Sequence, residues 1–284
     1  MSTLYDLHCH STASDGTLSP EALVERAAAA GVTHLALTDH DSTDGVSRAR
    51  KAAASHGLSL VPGVEISVTW EARVVHIVGL HIDIGHADLQ AGLASLRSHR
   101  DWRAGEIARK LAKEGIDGAL EGAAEFASGP VISRTHFARF LVRKGRAMSV
   151  RDVFKHYLVR GKPGYVAGTW AALADAVGWI RAAGGLAVVA HPARYEFTGA
   201  KLRKLLSEFR ECGGQALEVV SGSHSRDDIV RMSRFAQELG LAASAGSDYH
   251  GPENPWVELG RLSPLPQGLS PIWTSASWPG QPTH

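Results

Sequence analysis

Cysteine is scarce in this chain: Cys9 and Cys212 are the only two among 284 residues. That excludes a disulfide framework and fits a reducing compartment, so a cytoplasmic setting is expected. No apolar run reaches the roughly 18 residues a membrane span requires, which excludes a spanning helix. The first polar motif arrives by His8, with no basic-then-apolar leader before it, which argues against a secretory signal. Internal repeats are absent as well. Net charge is only +1, and as a total it says little.

The distribution of that charge says more. Residues 93–165 hold 15 Lys and Arg against 7 Asp and Glu, leaving 15 against 22 for the rest of the chain. A basic central stretch set against acidic flanks would draw an anionic substrate. Hydrophobic residues at 44% and charged residues at 21% are ordinary for a globular protein, and the length suits one large domain or one domain carrying an insertion.

The flanks alternate short apolar runs with helical patterns, the βα signature of a parallel sheet or barrel. Strands are expected at 4–9, 33–38, 58–64, 74–80, 186–190, 215–220 and 241–246. A helix after the first strand is signposted by Ser19 as N-cap, Pro20 at its first position, Glu21 and a stop at Gly31, and further helices are expected at 43–56, 171–183, 199–212 and 226–239. From 93 to 165 the alternation gives way to helical periodicity, predicting an all-helical insertion between barrel segments 1–92 and 166–284. The end of the chain, with Pro264, Pro266, Pro271, Pro279 and Pro282, reads as an irregular tail.

Imidazoles and carboxylates recur at the ends of these runs. His8 and His10 close the first, Asp39 and His40 follow the second, Glu65 follows the third, His191 closes the fifth, and Asp248 with His250 closes the seventh. Only His76 lies near the start of its run. The i, i+2 spacing of His8-Cys9-His10 places two ligands on one strand face and Cys9 on the other, in the wall. Residues at the carboxyl ends of barrel strands share one rim. With Asp15 they make nine candidates for the catalytic and metal centre: His8, His10, Asp15, His40, Glu65, His76, His191, Asp248 and His250. Nine ligands exceed what one ion takes, so three divalent ions are expected, with Glu65 or Asp248 bridging. Mixed imidazole and carboxylate donors suit Mn, with Zn or Fe as alternatives, and disfavour Ca. Asp39 is expected to orient rather than bind. A lone histidine is more often surface or core, which is the reading for His34, His56, His81, His86, His99, His156, His224 and His284.

Clustered metals suit phosphoryl transfer, and phosphate oxygens suit arginine. Arg194 stands three residues beyond His191. Arg134 opens a helix in Ile132-Ser133-Arg134-Thr135-His136, where backbone N–H groups also favour an anion, and Ser133 and His136 would assist. Tyr195 and Phe197 are candidates for stacking on a base.

Asp6-Leu7-His8-Cys9-His10-Ser11, Asp15-Gly16, Leu37-Thr38-Asp39-His40-Asp41, Pro62-Gly63-Val64-Glu65, His191-Pro192 and Gly246-Ser247-Asp248-Tyr249-His250 together resemble the motifs of the polymerase and histidinol phosphatase (PHP) family. The resemblance implies an α/β fold, a distorted (β/α)7 barrel, with a trinuclear metal site that hydrolyses phosphoesters through a metal-activated hydroxide. Asp15 in place of His, with Ser-Arg-Thr-His in the helical stretch, is similar to the branch that includes 3′,5′-nucleotide bisphosphate phosphatase and 5′→3′ exoribonucleases. The implied substrate is a nucleoside bisphosphate or a short 5′-phosphorylated oligonucleotide, held by Arg134 and Arg194. No protein partner is implied. Two other readings stay open: a small-monoester phosphatase of the histidinol phosphate type, and a metal-stabilised binding module without turnover.

Overall fold

A computed structural model describes residues 3–129 and 131–279; Pro282 and His284 lie outside them. All seven expected strands form, in the sheet order β1 to β7: Tyr5–Asp6, His34–Leu37, Ser59–Trp70, Arg73–Leu80, Leu186–Val189, Ala216–Ser221 and Ala242–Gly246. The sheet closes on itself where the Leu7 N–H donates to the Ala245 carbonyl (2.9 Å) and the Asp248 N–H to that of His8 (2.8 Å). The barrel-flanking helices are α1 (Pro20–Ala29), α2 (Val46–His56), α7 (Leu173–Ala182), α8 (Gly199–Glu211) and α9 (Arg226–Leu239). Ser19 caps α1 by accepting from the Ala22 N–H, with Pro20 inside the first turn.

The barrel departs from an all-parallel one at β4, which runs antiparallel to both β3 and β5. This explains the odd position of His76. A reversed strand starts at the rim where its neighbours end, so His76 pairs with Ser67 beside Glu65. Glu65 does not follow β3, as expected, but sits inside it, because β3 continues to Trp70 and turns tightly into β4. The two-residue turn is Glu71-Ala72, both at positive φ (42° and 58°). Such a turn normally carries Gly or Asn, and neither is present to announce it.

Period two along the strands sets the inside of the barrel. Ala36, Val61, Val78, Val188 and Ala216 pack in one core, and Glu65, His76 and Glu218 stand at matching parity on β3, β4 and β6, with His40 just past the end of β2. Apolar residues therefore fill the floor while polar ones line the rim. The C-terminal tail completes the floor: Ile272 and Trp278 are buried in that same core.

Between β4 and β5 lie α3 (Ala87–Ala112), α4 (Ala119–Ala124), α5 (Arg134–Arg143), α6 (Val150–Val153) and a π turn at Phe154–Leu158. Residue 93 falls within α3, which begins earlier than the periodicity predicted. One stripe of α3 serves two cores, with Leu89, Leu93 and Leu96 against the barrel layer and Ile107 and Leu111 against α5. Among the described residues, no helix is long and apolar enough to cross a membrane.

Candidate metal centre

Glu65, fully buried on β3, is the hub of the rim. Its carboxylate lies 2.7 Å from His40 Nδ1, 2.9 Å from His76 Nδ1, 3.0 Å from His191 Nε2, 3.3 Å from His8 Nε2 and 3.5 Å from His10 Nε2. Asp248 Oδ1 stands 3.3 Å from His10 Nε2, 3.5 Å from His8 Nε2 and 3.6 Å from His250 Nδ1. Asp15 Oδ1 stands 3.3 Å from His250 Nε2 and 3.9 Å from His40 Nε2. All nine expected residues thus meet in one place. Two of them leave strand ends with positive φ, His191 at 28° and Asp248 at 57°, backbone that costs on the order of 1–3 kcal/mol each for non-glycine residues.

The donor atoms fall into three overlapping groups that could each hold an ion: His10, Asp15, His40 and His250; His8, His10 and Glu65; His40, Glu65 and His76. His10, His40 and Glu65 each belong to two of them. Cations fit this arrangement better than hydrogen bonds do. His8 Nε2 and His10 Nε2 converge to 3.1 Å, and Asp15 Oδ1 is buried without a hydrogen-bond partner. His40 Nδ1 and Glu65 Oε2, 2.7 Å apart, are not aligned as a bonded pair. Lone pairs aimed at shared points rather than at N–H groups are what a cation satisfies.

Charge follows the packing. Burial alone would raise the Glu65 carboxyl, but His76, His40 and His8 hold it well below the usual range. Asp15 and Asp248 are likewise held low against burial, by His250 and His40 in one case and by His8 and His250 in the other. Burial, with His250 and His40 nearby, pushes His10 down to about 3, and burial pushes His76 down to about 4. His250 rises to about 9, since Asp15 and Asp248 outweigh its burial.

Asp39 accepts from the Ser11 N–H (2.8 Å) and from the hydroxyls of Ser11 (2.7 Å) and Ser14 (2.6 Å), so it pins the loop carrying Asp15 rather than a ligand ring. The residue whose carboxylate does orient a ring is Glu218, which the sequence reading missed. It sits 2.6 Å from His8 Nδ1 and accepts from the His191 N–H at 2.6 Å. Its signal was a carboxylate inside the apolar run Ala-Leu-Glu-Val-Val, at inward parity with Ala216. Cys9 packs in the wall, its thiol donating to the Ala36 carbonyl (3.1 Å). Among the described residues, none of the histidines read as surface or core enters the three groups.

A cleft of about 160 Å³ opens on the centre. Asp15, His40, His76, His191, Asp248 and His250 line it from the barrel, while Arg100, Arg103 and Arg134 line it from the helical segment and Trp170 from the chain just beyond that segment. Arg194 NH1 donates to Asp248 Oδ2 (2.6 Å) at the junction. Arg134 begins α5 and packs over the Phe154 ring, 5.5 Å from its centroid. Ser133 caps α5 and reaches the cleft. His136 turns back, its Nδ1 accepting from the Ser133 N–H (3.1 Å), and it does not line the cleft. Tyr195 and Phe197 are core residues, the tyrosine hydroxyl donating to the Ala190 carbonyl (2.8 Å), so the aromatic rings at the cleft are Phe154 and Trp170.

Arg100 and Arg103 were not singled out by the sequence reading, although α3 marks them. They occupy the buried stripe Leu89, Leu93, Leu96, Ile107, Leu111 where apolar side chains would be expected. Arg100 pairs with Asp41 (2.6 Å) and donates to Ser67 Oγ (2.9 Å). Arg103, equally buried, donates to the Val166 carbonyl (3.2 Å) and packs over Trp170. Among the described residues, neither Arg103 nor Arg134 has a carboxylate partner within ion-pair distance. Burial, Arg134 and Arg100 push the Arg103 guanidinium down to about 9.

A nearly closed seven-stranded α/β barrel whose rim gathers imidazoles and carboxylates into overlapping candidate cation sites defines the class of this protein. The chain belongs to the PHP domain family, whose sequence model matches residues 6–161. It is 48% identical over 269 residues to a 3′,5′-nucleoside bisphosphate phosphatase of Chromobacterium violaceum, covering 94% of each chain. To the 5′-3′ exoribonuclease Rnm of Escherichia coli it is 47% identical over 272 residues, 95% of this chain and 92% of the relative. Its fold matches the solved structure of a Chromobacterium violaceum amidohydrolase, with bound sulfate and no metal, at a TM-score of 0.91 and 48% identity over 94% of each chain.

Proposed function

We propose that this chain is a hydrolase of phosphoric esters that removes the 3′-phosphate of nucleoside 3′,5′-bisphosphates, with short 5′-phosphorylated RNA as a further substrate. Its likeness across nearly the whole chain to a bisphosphate phosphatase and an exoribonuclease supports that choice. The observation that carries it is the meeting, around one cleft, of candidate cation groups from the barrel with two arginines from the helical segment, Arg103 and Arg134, that have no carboxylate within ion-pair distance.

In this reading His8, His10, Asp15, His40, Glu65, His76, His191, Asp248 and His250 hold three divalent ions, Mn before Zn or Fe. Three overlapping groups that share His10, His40 and Glu65 support the count. Bound there, the ions supply water activation and offset charge on the phosphoryl oxygens. Glu218 fixes the His8 ring so that Nε2 faces the centre. Arg194, held by Asp248, presents its remaining N–H groups to the scissile phosphate. Arg103 and Arg134 hold the second phosphate, with Ser133 beside them, and Phe154 and Trp170 border the space for the nucleoside. A monoester offers nothing to that second cationic pair, which favours a substrate with two phosphates. Residues 93–165 act as a helical insertion on the barrel of 1–92 and 166–284; a separate core running from Ala104 to Val166 supports the division. Two unpaired cysteines suit the cytoplasm.

The test is phosphate release by Mn-loaded protein from adenosine 3′,5′-bisphosphate, AMP, a 5′-phosphorylated trinucleotide and histidinol phosphate, with RNA products followed separately. The bisphosphate should lead, with AMP far behind. Preference for histidinol phosphate would overturn the assignment of the arginines. Metal binding without release from any of the four would make the chain a binding module.

A further inference from the structure

Among the described residues, the hydrogen bonds from the helical segment to the candidate metal centre converge on Asp15. Asp15 Oδ2 accepts from the hydroxyls of Ser133 (3.0 Å) and Thr135 (2.9 Å) at the start of α5. Arg139, one turn further on, donates from NH2 to the Asp15 carbonyl (2.9 Å). Just before α5 the chain lies directly on the loop that carries Asp15, for a Cβ at Gly129 would come within 2.6 Å of the Ala13 carbonyl oxygen. The other carboxylate oxygen, Oδ1, is buried without a hydrogen-bond partner and faces His250 and His40.

We infer that Thr135, together with Ser133, is a positioning residue that fixes the Asp15 carboxylate for the group His10, Asp15, His40 and His250. The inference rests on the reading that this group holds an ion. A carboxylate on a loop can rotate about Cβ–Cγ and offer either oxygen. Two hydroxyls on Oδ2 occupy that oxygen and leave Oδ1 aimed at the imidazoles. The helical segment supplies no member of the three groups, yet it assembles one of them. Coupling of this kind is reciprocal: if docking of α5 favours the ion, the ion favours docking of α5 by the same factor. The four-residue group would thus depend on the insertion, while the two groups built on Glu65 would depend on the barrel alone.

The experiment uses the full chain stripped of metal and titrated with Mn²⁺ alone, read by calorimetry and by amide hydrogen exchange across α5. Thr135→Val should weaken one class of Mn²⁺ sites by about ten- to a hundredfold, the range for losing a partner that orients a ligand. The remaining sites should keep their affinity. Thr135→Ser, which restores the hydroxyl, should return the isotherm to that of the unaltered chain. In the unaltered chain, which needs no substitution to be informative, Mn²⁺ should slow exchange of the α5 amides. A Thr135→Val isotherm identical to the unaltered one, or α5 exchange indifferent to Mn²⁺, would overturn the inference while leaving the metal centre standing. Failure of the unaltered chain to bind Mn²⁺ at all would overturn both.

Discussion

Glu65 and Arg103 are both buried charges beside the same cleft, and their surroundings are opposite. Five imidazoles surround Glu65 within 3.5 Å, so the barrel wall gathers carboxylates and ring nitrogens and leaves lone pairs unsatisfied. Arg103 has a carbonyl and an indole for company and two further guanidiniums nearby, so the helical wall leaves positive charge without a carboxylate. One wall lacks cations and the other lacks an anion. A phosphorylated substrate between metal ions and arginines would complete both at once, since an uncompensated buried charge is costly on either side.

The largest effect should come from the barrel wall. Glu65→Gln removes the charge shared by two of the three groups, and bisphosphate hydrolysis should fall by more than about 10²-fold, the upper end for losing a mere orienting partner. Metal content measured on the same sample should fall with it; full metal content with full activity would dissolve the contrast between the walls. Arg103→Met should act more mildly and in the reverse sense on stability. Losing a charge-assisted hydrogen bond of about 1.5–3 kcal/mol should raise KM for the bisphosphate roughly 10- to 100-fold. The ligand-free protein should melt no lower than before, because the substitution removes an unpaired buried cation. A clear fall in Tm would show that the helical wall is self-satisfied after all.

The smallest effect is one of pH, on the metal-free chain. His250, raised to about 9 from 6.5, contributes stability in full below pH 6.5 and loses it as pH rises through about 9. His10 and His76, lowered to about 3 and about 4, act the other way: the unfolded chain takes up their protons first, so stability falls as pH drops below 6.5. On these groups alone, Tm should peak near pH 6.5. Mn²⁺ binds neutral imidazole, so loaded protein should keep its Tm up to pH 9. A metal-free Tm that stays flat between pH 6.5 and 9 would show that His250 is not held by Asp15 and Asp248 as the geometry indicates.

Much of this wall was legible from the chain alone. His8, His10, His40, His191, Asp248 and His250 stand at the ends of apolar runs, and strand ends point to a rim whatever the rest of the molecule does. His76 was legible as a candidate but not as a rim residue, because its place depends on β4 running antiparallel. No Gly or Asn marks Glu71-Ala72, so the hairpin left no local trace. Glu218 and Arg103 were harder. Glu218 breaks its apolar run alone and Arg103 breaks the α3 stripe together with Arg100, which is noticed only when the pattern is drawn first.

Local rules fixed whatever has a short period. Two-residue alternation sorted ligand from wall at His8-Cys9-His10, Ser19 and Pro20 began α1, and the unequal charge of 93–165 foretold a basic surface beside the site. Only the tertiary structure decided what depends on meeting across long separations. It brought Arg103 to face a centre built from both ends of the chain and set Ser133 and Thr135 on one oxygen of Asp15, more than a hundred residues away. It also turned a proline-rich tail into the floor of the barrel. The physical reason is that side-chain direction within an element follows from backbone geometry, whereas the partner a buried charge finds depends on how elements pack, and no local pattern carries that information.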